Sequence, residues 1–356
     1  MKLKRLAVTG THYDCGRQIG VACAESLHER LAKTKGQLPE GLRWADYRRA
    51  AEPYLAATIR AFPWIVEEIG GAAEGASLDF MDLFVESIEE LFSTAPVPTA
   101  PLPTPFGPQE VAYRCSDFAA CAPATEGHVL LAHNNDLSPA AQDHVVAVEW
   151  NLPDQPRTFT VGVSGIFVSI GMNSAKVALT GNELSPNDER PGIPRLLIAR
   201  AILSAQTFDE AVDNIALHPD RASSYNNLIS TGDGQIASVE GSATDYEVLR
   251  PQEGWLVHTN HYLHPRMAKY ERYPDHTAKS VSRYDRAREL MRARSGPVTL
   301  PLLQSFLADH NSTPAALCRH EERVKTVFSA LIDLTEGTMD ATVGNPCEEK
   351  FERVWG

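Results

Sequence analysis

Cys115 opens a stretch in which side chains able to do nucleophilic chemistry return to one another. A β-like run follows Cys115, Thr125-Glu126-Gly127 carries turn chemistry, and a second run ends in His133-Asn134-Asn135-Asp136. In an antiparallel hairpin the end of the second strand lies beside the start of the first. A thiol (Cys115), an amide (Asn134) and a carboxylate (Asp136) are therefore expected at one sheet edge, a set suited to covalent catalysis by sulfur. The bland readings stand beside this one: Cys115 as a buried core thiol, and Asn134 and Asp136 as turn caps.

Other chemistries find no support. Gly162-Val163-Ser164-Gly165-Ile166 lacks the last glycine of a G-x-S-x-G elbow and leads into a strand, so it reads as a turn. No phosphate-cradling G-x-x-x-x-G-K-[ST] occurs, and no G-x-G-x-x-G opens a helix, so no nucleotide cofactor is expected. His258 and His261 are three apart in a strand-like run, which points them to opposite faces. With H-E-x-x-H also absent, no metal is expected. Cys121 and Cys318 read as core filler, His258 and His261 as pocket wall or packing, and Cys15, Cys23 and Cys347 carry no signal.

The elements that must position Cys115 are legible from composition. The 356 residues hold 33 Lys+Arg against 46 Asp+Glu, a formal charge of −13, which repels phosphate backbones and anionic membranes. With 43% hydrophobic and 22% charged residues the chain is expected to fold almost throughout. No apolar run reaches the ~18 residues of a membrane span, and the N-terminus is too interrupted for a signal peptide. Six dispersed cysteines without C-x-x-C predict a reduced, cytoplasmic protein. The segment Ala95–Gln109 holds six of the 24 prolines and must run as an extended connector. Before it, apolar residues at spacings of three and four (Leu55, Ile59, Phe62, Ile65, Ile69) predict helix, weakened or ended by Gly70, Gly71 and Gly75, then a second helix from Ser77 or Asp79. After it come short strands: 117–122, 129–133, 144–151, 158–163, 167–172, 176–180, 226–230, 235–240, 246–250, 255–260 and 326–333. Helical intervals interrupt them at 193–217, 278–294 and 300–310. Blocks of strands joined mostly by hairpins predict layered α+β with antiparallel sheets.

These motifs, in this order, resemble the acyl-coenzyme A:isopenicillin N (6-aminopenicillanic acid) acyltransferases and their relatives among the N-terminal-nucleophile hydrolases. The resemblance covers nearly the whole chain. Arg114-Cys115-Ser116 stands where the family has Gly-Cys-Thr, and Asn134-Asn135-Asp136 where it has Asn-Trp-Asp. Val257-His258-Thr259-Asn260-His261 matches a family strand throughout, Cys318-Arg319-His320 a late Cys-Arg motif, and Gly171–Ala175 a Gly-Phe-Asn-Ser-Ala turn. Near the front, Gly10-Thr11, Ile19-Gly20 and Glu67–Ala73 match further strings.

The resemblance implies a four-layer αββα sandwich. It implies a chain that cuts itself at Arg114–Cys115 into an α-chain, 1–114, and a β-chain, 115–356, which stay together as one heterodimeric domain. The freed α-amine of Cys115 would serve as base for its own thiol, so no separate Cys-His pair is needed. Asn260 would donate its amide to the oxyanion, Asp136 would orient the amine, Asn134 would steady the hairpin or contact substrate, and Arg319 would fix Asp136 or bind a substrate carboxylate. Ser116 and His258 would line the substrate site. Arg114 replaces the usual glycine and Asn135 the usual tryptophan. Glu86 and Glu89 stand near a position where relatives carry a cation, favouring a different substrate charge; the alternative is a solvated helix face. The expected reaction is hydrolysis of a small N-acyl amine or amino-acid amide, with acyl transfer to a second amine as alternative and an uncleaved binding protein as another. No cofactor is expected, and a homo-oligomer is left open.

Overall fold

The structure, a computed structural model, describes residues 2–92, 96–97, 100–101 and 115–356. Arg114 and most of the proline-rich connector lie outside the described residues. The front part consists of β1 (Lys4–Thr9) and five helices: α1 (His12–Ala22), α2 (Ala24–Gly36), α3 (Trp44–Ala61), α4 (Pro63–Gly75) and α5 (Phe80–Glu86). Two residue pairs, β2 (Pro96–Val97) and β3 (Ala100–Pro101), form a short ladder of their own. The rear part begins with β4 (Cys115–Ala120), β5 (Leu130–Leu137), β6 (Val145–Asn151), β7 (Thr158–Val163), β8 (Phe167–Asn173) and β9 (Val177–Asn182). It continues through α6 (Arg195–Ile202), a π-helical turn (Glu210–Ala216), β10 (Asn226–Thr231), β11 (Ile236–Gly241), β12 (Tyr246–Leu249) and β13 (Trp255–His258). α7 (Ala278–Ala293), α8 (Leu300–Leu307), β14 (Lys325–Asp333), β15 (Thr338–Val343) and β16 (Glu352–Trp355) complete it. Among the described residues no helix is long and apolar enough to cross a membrane.

Two sheets carry the fold, one ordered β1-β6-β7-β8-β9-β10-β11-β12 and the other β13-β4-β5-β14-β15-β16. Strand alternation shows the layering. On β6, Val146, Val148 and Trp150 face the helices α1 and α3–α6, while Val145 and Ala147 face the second sheet. On β4, Ala119 faces the first sheet, and Phe118 and Ala120 face α7 and α8. The architecture is thus helix, sheet, sheet, helix, an αββα sandwich in which both sheets are buried on two sides. One pairing departs from the expected antiparallel pattern: β1, which pattern reading did not find, adds parallel to β6. That pairing sews the front part onto the first sheet, so front and rear share one core.

The helix expected through 51–73 divides at Phe62, because Pro63 starts α4 at its first turn, and Ile59 is left 49% exposed. The glycines expected to weaken the helix are instead its contact surface. A Cβ on Gly71 would lie 2.0 Å from the Tyr13 carbonyl oxygen and one on Gly75 2.2 Å from that of Arg17. Gly16 and Gly20 of α1 meet Glu68 and Ala72 reciprocally, at 2.0 and 2.2 Å. Beside this contact the buried Glu68 carboxylate takes Arg200 Nη2 at 2.6 Å and His12 Nδ1 at 2.8 Å, tying α4 to α6 and α1. Gly71→Ala is expected to cost ~1–3 kcal/mol in urea unfolding, because backbone must move to admit the methyl. Gly36→Ala, where a Cβ meets nothing within 4 Å, should be neutral or stabilising by up to ~1 kcal/mol. Equal stabilities for the two variants would refute the close-contact account.

Candidate active site

The hairpin forms as expected, but its register decides which groups meet. Cys115 pairs with Asn135 and Asp117 with His133 across β4 and β5. On the other side His258 pairs with Asp117 across β13 and β4. Directly opposed residues share a face, so two adjacent rows result on the inter-sheet face: Cys115 and Asn135, then His258, Asp117 and His133; Asn260, just beyond β13, reaches the Cys115 nitrogen. Asn134, Asp136 and Ser116 point the other way, toward α7 and α8. The sequence reading joined Asn134 and Asp136 to the thiol; the strands do pair there, but the side chains on the thiol's own face are one residue off, His133 and Asn135.

His133 is the group that pattern reading missed. It is fully buried, its Nδ1 lies 2.6 Å from Asp117 Oδ1, and the strand register puts it on the same face as Cys115. Burial alone would push its pKa down, but the Asp117 charge and hydrogen bond, with Cys115, push it up to about 10. The ring is therefore an imidazolium at neutral pH, beside a thiol and backed by a carboxylate. The sequence shows no convincing Cys-His pair; the register nevertheless brings His133, backed by Asp117, to the face of Cys115.

Asn260 is brought to Cys115, in an orientation other than the expected one. Its Oδ1 accepts the Cys115 backbone N–H at 2.8 Å and Arg283 Nη2 at 2.9 Å. Its NH2 donates to the Glu183 carbonyl at 3.0 Å. Two donors meeting at one atom identify that atom as oxygen.

On the opposite face Arg283, from the buried side of α7, donates through Nη1 to the Cys115 carbonyl and, at 2.8 Å, to Ser116 Oγ. Burial pushes its pKa down to about 10. Asp136 is fully buried; Oδ1 accepts from Thr326 Oγ1 at 2.7 Å, while Oδ2 has no hydrogen-bond partner. Burial raises the Asp136 pKa against the lowering influence of Arg319 and Arg283. Arg319 lies within charge range of Asp136 and binds Glu321 Oε1 through Nε at 2.8 Å. Asn134 is structural here: its Nδ2 donates to the Leu307 and Leu317 carbonyls, both at 2.9 Å, and its Oδ1 accepts from Ser329 Oγ at 2.6 Å.

Three expected substrate contacts are committed internally. His258 is fully buried, with Nε2 2.9 Å from Glu240 Oε1 and Nδ1 2.9 Å from Asn182 Oδ1. Glu86 is buried against Arg30, 2.8 Å away, and Glu89 accepts from Arg195 at 2.8 Å and from the Tyr225 hydroxyl at 2.5 Å. Glu86 is buried, whereas Glu89 keeps a side chain 34% exposed while already held by Arg195. Arg195 also meets Glu183 at 3.1 Å, so Glu89 connects to the Asn260 anchor through two intermediaries.

Arg283 left a signal in the sequence: it shares the four-residue spacing of Ala287 and Met291, the buried stripe of α7. Metal-type donors converge elsewhere, at His310, Cys318, His320 and Cys347. Their spacing matches no C-x-x-C or H-x-x-x-H pattern, which is why Cys318 read as filler and Cys347 as silent.

The sequence family described as acyl-coenzyme A:6-aminopenicillanic acid acyl-transferase matches residues 124–348. The chain belongs to this family. A relative from Emericella nidulans, the acyl-coenzyme A:6-aminopenicillanic-acid-acyltransferase 40 kDa form, is 23% identical over 328 residues, covering 90% of this chain and 84% of the relative. Among solved structures, a Caenorhabditis elegans N-acylethanolamine-hydrolyzing acid amidase ortholog is 15% identical with a TM-score of 0.44, covering 62% of this chain and 93% of that one. A conjugated bile acid hydrolase from Clostridium perfringens is 14% identical with a TM-score of 0.47, covering 68% and 97%. Membership in this acyltransferase family makes the chain an enzyme.

The His133–Asp117 pair has a pH signature. The folded pKa of His133, about 10, lies above its ordinary ~6.5. The stabilisation is therefore fully present below about pH 6.5 and is lost as pH rises through about 10. Asp117→Asn should cost ~3–5 kcal/mol at neutral pH, since it leaves a buried cation unpaired. In urea unfolding the gap between the two proteins should close as pH approaches about 10; a gap unchanged over that range would mean that His133 is neutral in the fold.

Proposed function

We propose that this chain is a self-cleaving cysteine amidohydrolase whose nucleophile is Cys115. The observation that carries this reading is the buried row of Cys115 and Asn135 flanked by the His133–Asp117 pair, with Asn260 at the Cys115 nitrogen and Arg283 at the Cys115 carbonyl. In the first step Cys115 Sγ attacks the carbonyl carbon of Arg114, the peptide nitrogen leaves as the α-amine, and water hydrolyses the resulting ester of sulfur. The products are an α-chain of residues 1–114 and a β-chain of residues 115–356. The Asn260 oxygen, which already holds this nitrogen, keeps the new amine beside Sγ, and the unpartnered Asp136 Oδ2 is the acceptor for its protons.

In turnover the amine takes the thiol proton and the thiolate attacks the substrate amide. His133, already protonated at neutral pH, is unsuited to be the base. An amide NH2 carries two hydrogens, and the one Asn260 does not give to Glu183 is the donor left for the oxyanion, a contribution of ~3–4 kcal/mol when preorganised. The amine leaves, a Cys115 thioester remains, and water releases the acid. The acidic balance of −13 favours a neutral or cationic amide. Glu86 and Glu89 are not assigned to substrate.

Purified protein is expected to resolve by intact mass into fragments of 114 and 242 residues. Cys115→Ala should stay whole, and Asn260→Ala, lacking the acceptor for the Cys115 nitrogen, should cleave at least tenfold more slowly. A single 39.0 kDa species that also resists thiol-directed acyl probes would identify an uncleaved binding protein instead.

A second reading, transfer of the acyl group from a thioester to an amine, is favoured by the Emericella nidulans relative. Mature enzyme given a thioester and an amine acceptor distinguishes the two. Free acid should dominate; amide product outrunning acid would establish the acyltransferase.

A further inference from the structure

We propose that the chain holds a structural zinc ion between His310, Cys318, His320 and Cys347, a site independent of the acyl-transfer reading. One ligand atom from each side chain lies within 4.8 Å of all the others. His320 Nε2 is 3.1 Å from His310 Nε2, 3.4 Å from Cys318 Sγ and 3.3 Å from Cys347 Sγ, and the two sulfurs are 3.5 Å apart. Hydrogen bonding does not account for this crowding. An imidazole nitrogen carries one proton or one lone pair, and cannot serve three neighbours at once.

A cation at the centre does account for it. Tetrahedral coordination with metal–sulfur bonds of ~2.3 Å and metal–nitrogen bonds of ~2.0–2.1 Å gives ligand–ligand edges of about 3.3–3.8 Å, close to the distances observed. Two thiolates and two neutral imidazoles select zinc among common ions and balance its charge. Binding releases the two thiol protons to solvent. All four positions are filled by protein, so the ion is structural and has no place for substrate. Partners of the ligands are present as well: Asn345 Nδ2 donates to Cys318 Sγ at 3.4 Å and to the Arg319 carbonyl at 2.6 Å, and Glu348 stands 3.9 Å from His320 Nδ1.

The ion would join the loop between α8 and β14, which carries His310, Cys318 and His320, to the turn after β15, which carries Cys347. Arg319 lies between two of the ligands, so zinc would set the backbone from which its guanidinium faces Asp136.

The test uses the full chain, purified without a histidine tag or chelator. Elemental analysis should find about one zinc per chain. Replacement by Co2+ should give the strong visible absorption of a tetrahedral ion together with thiolate-to-metal charge transfer. Cys347→Ser and His310→Ala should each reduce bound zinc at least tenfold. The proposal is overturned if folded wild-type chain contains no zinc and takes up none in competition with a chromophoric chelator. It is equally overturned if Cys318 and Cys347 prove to be joined as a disulfide, or if both variants retain full metal. The Co2+ spectrum of the wild type decides the matter even if the variants fail to fold.

Discussion

A strand buried on both faces has to divide its side chains between two environments, and in this protein the division on β4 governs the chemistry. Cys115 and Asp117 enter the space between the sheets, while Ser116 and Phe118 enter the helical layer. Pairing with β5 then admits only His133 and Asn135 to the thiol's side. A slip of one residue would exchange His133 for Asn134 and carry the imidazolium to the wrong face. The hydrophobic residues further along the hairpin oppose any slip: Ala119 and Leu131 are buried between the sheets, and Phe118, Leu130 and Ala132 against α7 and α8. The apolar pattern that stabilises the sandwich thus also fixes the register of the polar rows.

The same burial explains why so many charges occur in pairs. Asp117 with His133, Glu240 with His258 and Glu68 with Arg200 are all inside the molecule, and Arg195 is buried beneath the partly exposed Glu89. A buried ion without its partner costs several kcal/mol. Glu86 in α5 is therefore matched by Arg30 of α2, and Glu89 just after it by Arg195 of α6, before any ligand arrives. Sequence alone cannot reveal this, because Arg30 and Arg195 are remote from Glu86 and Glu89 along the chain. It explains why those two glutamates look like a specificity feature in the sequence and are framework in the fold.

What was legible follows a physical division. Local patterns located the hairpin, most strands of both sheets and the buried face of α4, since alternation and helical spacing are properties of short segments; on α3 they marked Leu55 and Ile59, whereas the buried face is Tyr47, Ala51, Tyr54 and Ala57. β1 was missed because it is a mostly exposed edge strand, and β15 and β16 because they follow a turn without a strong apolar run. The strings that carried the family resemblance prove largely structural. Glu68 and Gly71 make the contact between α4 and α1. Asn173 ties its hairpin to the carbonyls of Leu203 and Ala205, at 2.9 and 2.7 Å. Thr11 caps α1. Such strings identify a fold well and assign chemistry poorly. The parity of Cys115 against its neighbours, the arrival of Arg283 from another layer and the gathering of His310 with Cys347 depend on long-range packing.

Electrostatics around the Cys115 nitrogen gives the two layers a common purpose. An amine released there would lie close to Arg283, whose field also includes Asp136 and Arg319, with His133 on the adjoining strand. The three cations favour the neutral amine, the form able to accept a proton from sulfur. Asp136 opposes them, and gives the protonated amine a partner once the thiolate has formed. With only the carboxylate, the amine would stay charged and could not act as base; with only the cations, the ammonium formed on proton transfer would have no partner. Two guanidiniums facing one carboxylate across the strand end therefore suit a group that must change its charge during each turnover. That balance needs the two sides of β4 together, and Cys115 stands at the end of that strand.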